Sequence, residues 1–561
     1  MFKRGQAAVE FLTTYGWAFF VILAMLGSLS YFGVLDPTSF ASDRCIISSP
    51  FSCTQFVVGL DGFVLDLRYS LNDRIVLTDF GYIDLNGDFV SCGVNNFVVS
   101  SNSRFVLSCP GVSFADYNSL NFRFSYRSFS DSLGVFSRVV SGDLRFSVAD
   151  DFYVLDASIP NNVAPADLSV VLSSMSGTGA SNDPYIITND FELQAISEDL
   201  SGHFRLGDNI NLAGTINWNS GLGFEPISGF NGVLDGDGYT IYNLYINRPS
   251  SDYVGLFGFG TGSIFDLNLL NVQLHGAGYV GGVSGYHYFC AQSPAFNNIF
   301  VSGSIVSSDQ YTGGIAGIFY ECEANSVGAD VFIQSNDRYA GGAFGYVWDS
   351  LVVDSFSRGS ILGESYSGGF AGTVMGSSSV ILRSYSSADV YSLDGPAGGF
   401  VGMIVQQSLI NQSYALGDVT SLPNIGGFVG DMQTGSIITN SFSLGDVTRL
   451  ESIHQRVGGF AGSNHQSIIT NSFSAGRVFY DSLPNPVDKG FLGSSNTGGS
   501  FQDFGNYFDS TSSNQLSSDG NAIGLSSSQM KGSSAQTNMP DLDFTSIWKT
   551  SSSYPVLKWM D

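Results

Sequence analysis

IGGFVGDMQTGSIITNSFSLGDV, residues 425–447, is a unit the chain repeats with variation. Its Gly-Gly block recurs as VGLFG at Gly255, VGGVSG at Gly281, TGGIAG at Gly313, AGGAFG at Gly341 and SGGFAG at Gly368. It continues as AGGFVG at Gly398, VGGFAG at Gly458 and a degenerate KGFLG at Gly490, at intervals of 26 to 32 residues. A second line follows each later block at a nearly constant distance: LVVDSFSRGSI, VILRSYSSADV, LINQSYALGDV, IITNSFSLGDV, IITNSFSAGRV. Self-similarity at such a period means a solenoid, a propeller or an array.

The unit consists of short runs rich in Val, Ile, Phe, Tyr and Ser between Gly and Asn, without apolar spacings of three to four. That excludes helical solenoids and predicts strands. A propeller blade needs about 40–45 residues, more than one period supplies. Three short strands with their turns fit, so each unit is predicted to be one turn of a parallel β-helix, right-handed, with successive turns ~4.8 Å apart. Equivalent positions then form ladders. One is aromatic (Phe356, Tyr385, Tyr414, Phe442, Phe473) and is preceded by a serine ladder (Ser355, Ser384, Ser413, Ser441, Ser472). The glycines are expected where corners need positive φ or close backbone approach. Cys290 and Cys322 each lie nine residues after their Gly-Gly block. Stacking would bring their Cα atoms to about 5 Å, a separation a disulfide accepts.

The units G-G-[FIV]-[AV]-G followed by I-x-x-S-[FY]-[AS]-x-G-[DR]-V resemble the GLUG repeat of large surface adhesins and related secreted proteins. The preceding segment, with DPYIITNDFELQAI, LSGHFRLGDNINL and FNGVLDGDGYTIYNLYI, is similar to the same family. So is the end of the chain, NYFDSTSSNQ followed by SSQMK, DFTSIW and YPVLKW. The resemblance covers residues 183–559 and implies a cell-surface, non-enzymatic binding protein.

The 561 residues carry 22 Lys and Arg against 49 Asp and Glu, a net charge of −27. So acidic a chain has no electrostatic reason to bind nucleic acid. Scarce charges (13%) and six cysteines suit an extracellular β-protein in an oxidising compartment. The N-terminus begins MFKRGQAAVEFL, and the apolar run over residues 11–35 is long enough as a helix to cross a bilayer. Lys3 and Arg4 would stay inside, placing everything after Leu35 outside. Glu10 is out of place in a secretory signal peptide. K-R-G-Q-A-A-V-E-F-L instead resembles the processing site of an archaeal-type class III, type IV pilin-like precursor. The resemblance implies a prepilin peptidase cutting between Gly5 and Gln6 and, as partners, other pilin subunits. Glu10, one helical turn on, would neutralise the new ammonium.

The domain reading is therefore 1–35 signal and pilin-like helix, 36–157 an antiparallel β-sandwich, and 158–182 a linker. Residues 183–253 open the β-helix, 254–499 are its repeats, and 500–561 are its last turn and cap. In the sandwich the expected disulfides are Cys45–Cys53 and Cys92–Cys109, the second stapling a hairpin. At the opening, Asn189 and Glu192 read as a capping box, and Phe191, Leu193, Ile196 and Leu200 as one face of a short covering helix. Trp548, Tyr554, Pro555 and Trp559 are expected to cover the far end.

Candidate chemistry is sparse. His203, His275, His287, His454 and His465 lack ligand spacing and read as surface or turn residues. LDGDGYTI at residues 234–241 is better read as a tight corner than as a calcium loop. Asp389, Asp418 and Asp446 form a carboxylate ladder ended by Arg477, whose alternative readings are a cation site or paired-carboxylate chemistry on a sugar chain. A solvated structural ladder explains them better, and no cofactor motif is present. Asn411 heads a glycosylation sequon. The expected function is a pilin-like adhesin whose β-helix binds glycans or another cell. A polysaccharide-acting enzyme and a structural envelope protein are the alternatives.

Overall fold

The computed structural model describes residues 44–145, except 60–61, 72–74, 85–86, 93–96, 100–103, 111–118 and 129–137. It also describes residues 168–560, except 291, 451–455, 481–484 and 496–502. Gly5, Gln6, Glu10 and the apolar run that follows lie outside the described residues. Among the described residues no helix is long and apolar enough to cross a membrane.

Two compact units are formed, the first within residues 44–145. It contains two antiparallel sheets. One joins Arg44–Ile47, Arg138–Arg145, Ser119–Ser128, Ile75–Ile83 and Phe89–Ser91, with Phe97–Val99 alongside Ile75–Ile83. The other joins Phe51–Gly59, Gly62–Tyr69 and Arg104–Pro110. Alternating apolar residues turn one face of each sheet toward the other. Phe51 meets Phe124 edge-on at 4.8 Å, and Phe63 meets Phe80 at 5.8 Å. Disulfides join Cys45 to Cys53 and Cys92 to Cys109, with Cα separations of 5.9 and 5.0 Å. Cys92–Cys109 does not staple a hairpin. Cys92 follows an edge strand of one sheet and Cys109 belongs to the other, so each bridge ties sheet to sheet.

The second unit is a parallel β-solenoid of about ten turns. Its strands fall into three sheets of 25, 10 and 7 strands, and neighbouring turns pair in parallel. Stacking follows the sequence ladders residue for residue. Gly281 pairs in turn with Gly313, Gly341, Gly368, Gly398, Gly426 and Gly458. Inside, Phe370, Phe400, Phe428, Phe460 and Phe491 stack with ring centroids 4.7–4.9 Å apart. Cys290 and Cys322 are bridged at a Cα separation of 5.0 Å.

The paired glycines of the repeat do not turn through positive φ. Gly426 and Gly427 have ordinary backbone angles. A Cβ on Gly426 would lie 2.0 Å from the Val429 carbonyl oxygen, and one on Gly427 would lie 2.2 Å from that of Gly459. Close approach of successive turns is what excludes a side chain. At the serine corner the left-handed residue is instead Asp354, Arg383, Gln412, Asn440 or Asn471, with φ between 46° and 53°. The bend there interrupts the backbone ladder, and the following serine repairs it. Ser413 Oγ accepts from the Ser384 amide at 3.3 Å and donates to the Asn411 carbonyl at 3.1 Å. Ser441 and Ser472 repeat the pattern, and Asn506 Oδ1 accepts the last amide. A buried backbone group without a partner is costly, so the serine is dictated by the corner.

Both ends differ from expectation. The expected linker, 158–182, holds a helix, Leu168–Ser174, whose Leu168, Val171 and Leu172 pack with Met175 on the solenoid core. The next helix, Asp190–Gln194, is capped by Asn189, whose side chain accepts from the Glu192 amide at 3.0 Å. Glu192 does not return the bond to Asn189; it takes the Thr188 amide and hydroxyl. Phe191 stacks on Trp218 at 5.3 Å, over the buried Leu193 and Ile196. The C-terminal segment lies along the side of the solenoid. Trp548 packs on Phe442 and Phe473, and Trp559 reaches Tyr414 and donates its indole N–H to the Gln412 carbonyl. The outer aromatic ladder thus belongs to a second core with Met530, Met539 and Leu542.

Candidate ligand-binding face

Asp389, Asp418 and Asp446 have structural work. Each Oδ1 accepts the backbone amide of the residue one turn on, Asp418, Asp446 and Arg477 in order, all at 2.8 Å. Arg477 Nε also donates to Asp446 Oδ2 at 2.8 Å. The carboxylates extend the ladder where it turns outward, and amide donors offset their mutual repulsion. Asn411 stands in a similar column, its Oδ1 accepting from Asn440 Nδ2 at 3.1 Å. Asp235, in the loop read as a corner, accepts the Asp237 amide and pairs with Arg205.

A different feature is assembled by the turns between residues 253 and 366. Tyr253, Tyr279, Tyr311, Tyr339 and Tyr366 each stand two residues before a glycine, Gly255, Gly281, Gly313, Gly341 and Gly368. Their rings form one column, with centroids 4.8, 5.0, 5.0 and 5.2 Å apart and planes within 26°. All five have left-handed backbones, φ 52–67°. For a bulky residue this conformation is strained by about 1–3 kcal/mol. Further along, the same corner is made by Asn424, φ 50°, a residue that adopts it readily.

Beside the column, the outer face of the ten-stranded sheet is also aromatic. Phe259, Tyr286, Ile318 and Tyr346 form one row, and Tyr288, Tyr320 and Trp348 another. Tyr346 has Ile318 and Thr373 as row neighbours and is turned 83° and 89° from Tyr311 and Tyr339. Tyr320 and Trp348 stack at 4.5 Å. Phe289 at the border is 54% exposed, while the column and row rings are half-buried.

The patch stops abruptly. Past Tyr346 its row reads Thr373, Met403, Asp431, Ser463; past Trp348 the other reads Met375 and Val405. The solenoid therefore holds together without aromatics at these positions. Partial burial, with neighbouring tyrosines adding to it, pushes the Tyr311 phenol up to about 12. Tyr279, Tyr286 and Tyr339 shift upward for the same first reason. These four hydroxyls stay protonated across the physiological range and both donate and accept. Asp252, Asp309, Glu321 and Asp349 border it, with Arg338. The signal was present in the sequence as Y-x-G at 253, 279, 311, 339 and 366, just ahead of the glycines.

One histidine departs from expectation. His287 is not at the surface; it is 1% exposed, with Nε2 2.9 Å from the Gly262 carbonyl oxygen. Burial holds its pKa down to about 4, so the ring is neutral. Among the described residues, the group gathering three potential metal-ligand atoms is His287, Cys290 and Cys322, and the two sulfurs are joined.

No family model matches the chain. Halomucin of Haloquadratum walsbyi is 34% identical over 165 residues, 27% of this chain and 2% of that protein. A putative Gly-rich membrane protein of Evansella cellulosilytica is 32% identical over 142 residues, 23% of this chain and 16% of the relative. An immunoglobulin A1 protease of Streptococcus sanguinis is 23% identical over 238 residues, 41% of this chain and 11% of the relative. The chain thus spans a small part of the length of each curated relative it matches.

Proposed function

We propose that this chain is a non-enzymatic cell-surface adhesin that binds a neutral glycan, or a glycan-covered partner cell, along its tyrosine face. The observation that carries the reading is an aromatic patch the fold does not require, held in place by a repeated strained backbone. Contiguous aromatic surface of this kind marks a binding site, and strain of this kind clusters at functional positions. Tyrosine gives rigid, amphipathic contact at low entropic cost, with a ring for C–H faces and a hydroxyl for sugar hydroxyls. The acidic border disfavours anionic polymers. The likeness to halomucin and to a Gly-rich membrane protein agrees with a place at the cell surface. The prepilin-like N-terminus would anchor the protein in the membrane or carry it into a pilus beside other pilin subunits.

Binding of the full-length protein to insoluble neutral polysaccharides and to whole cells tests the reading. Replacing Tyr311, Tyr346 and Trp348 by Ala together should weaken binding by at least about 2 kcal/mol, roughly 30-fold, as for interface hot spots. Bound polymer should keep its length. Shortened polymer would instead establish the enzyme alternative, and unchanged binding by the triple variant would remove the face from the argument. For the N-terminus, sequencing the mature protein should give Gln6 as its first residue; an intact Met1 or a cut beyond residue 25 would defeat the prepilin reading.

A further inference from the structure

We propose that His287, Cys290 and Cys322 form a zinc(II) site when the Cys290–Cys322 disulfide is reduced, so that metal and disulfide are alternative states of one locus. The position of His287 needs an explanation the fold does not provide. Its equivalents on the next five turns are Phe319, Val347, Val374, Ile404 and Met432, all apolar and buried, and only the sixth, Asn464, is polar. An imidazole there has only one of its nitrogens satisfied: Nε2 bonds the Gly262 carbonyl, and Nδ1 has no hydrogen-bond partner among the described residues. A buried polar atom left this way costs about 1–3 kcal/mol. Phe296 packs at 4.3 Å from the ring and Phe319 at 6.1 Å, fixing its orientation.

What lies near the imidazole is sulfur. The ligand atoms of His287, Cys290 and Cys322 are all within 4.8 Å of one another. The Gly262 carbonyl can only accept, so it places the proton on Nε2 and leaves the Nδ1 lone pair free for a cation. A carbonyl behind a ligating imidazole is the usual device for holding its tautomer and direction. Two thiolates and one imidazole match the donor preference of zinc, and water would take the fourth position. Cys290 is partly exposed, giving ions a way in.

The chemistry balances with a phosphine as reductant. The phosphine gives two electrons and takes an oxygen from water, while the S–S bond breaks and each sulfur receives a proton. Zinc then replaces both thiol protons, which pass to solvent. Before oxidation, in the newly made chain, the metal-binding state needs no reductant.

Cobalt(II) is the probe, because thiolate ligation gives it charge-transfer and tetrahedral d–d absorption. The full-length protein reduced with a water-soluble phosphine should take up one cobalt ion with this spectrum, and zinc should displace it. The oxidised protein should show none. Cys290→Ala with Cys322→Ala should abolish the signal although the other four cysteines are reduced alongside. His287→Val, which installs the side chain found at position 347, should fold normally by circular dichroism. It should weaken cobalt binding by at least about tenfold, since changes even behind a ligand cost that much. If His287→Val does not fold, His287→Phe, matching position 319, replaces it, and X-ray absorption of the zinc-loaded protein should show one nitrogen and two sulfur donors. Equal affinity and spectrum without His287, or a signal that survives loss of both cysteines, would overturn the proposal.

Discussion

At the scale of single residues, stability and function pull apart at the tyrosine column. In Tyr339→Asn the left-handed strain of about 1–3 kcal/mol is relieved, while two stacked contacts and the edge contact with Tyr346, about 0.5–1.5 kcal/mol each, are lost. The two nearly cancel, and Asn424 shows the solenoid accepting that residue at the same corner. Urea unfolding of Tyr339→Asn should therefore stay within about 1 kcal/mol of the parent, while polysaccharide binding falls; a large loss of stability would make the column structural. Ser413→Ala should behave oppositely. It leaves the buried Ser384 amide without its acceptor, while the Asn411 carbonyl keeps the Arg383 amide, and should cost about 1–3 kcal/mol, with binding intact. Asp503 supplies a pH signature. It is buried, accepts the Ile469 amide at 2.7 Å, and has its pKa raised by burial from 3.8 to about 6. An acid whose folded pKa is raised contributes its full stability below pH 4 and loses it as pH rises through 6. Asp503→Asn should stabilise the protein by about 2–3 kcal/mol more at pH 7.5 than at pH 4, measured by urea midpoints at both.

At the scale of elements, how much could be read in advance depends on which force places each piece. The turns were legible because one turn stacked on the next converts a period in sequence into a contact in space. The Gly-Gly register, the serine and aromatic ladders and the Cys290–Cys322 pairing all follow from that one fact. The tyrosine face escaped because only the three-dimensional corner determines which residues of a turn point outward. The helix at Leu168–Ser174 escaped because it is short and flanked by Pro160, Pro165 and a Gly/Ser run, all signals of a linker, and only packing on the solenoid core stabilises it. The C-terminal segment is instructive, since its tryptophans announced a cap but not where it sits. An exposed outer aromatic ladder offers more apolar surface than the end of a coil, so the segment folds back along Tyr414, Phe442 and Phe473. Trp548→Ala should then cost about 3–5 kcal/mol, typical of a buried tryptophan. Limited proteolysis should release residues after 525 from that variant; resistance equal to the parent would show that the ladder does not need its cover.

At the scale of the whole molecule, a net charge of −27 is the property a ligand meets first. Fields from such a charge reach roughly 30 Å at 0.01 M salt and about 8 Å at 0.15 M. A neutral glycan feels none of this repulsion, whereas an anionic one is turned away before it can touch Tyr311 or Tyr346. The rings and hydroxyls are indifferent to salt, and burial holds the Tyr311 phenol up at about 12. Affinity for a neutral polysaccharide should therefore change by less than about twofold between low and high salt, and stay flat from pH 6 to pH 9. Binding of a sulfated or uronic-acid polymer should be weak at low salt and rise as the field is screened. If affinity for the neutral polymer instead fell steeply with salt, charge would be holding the ligand. The border of Asp252, Asp309, Glu321 and Asp349 would then displace the tyrosines as the recognition element, and a cationic partner would fit the face better than a sugar.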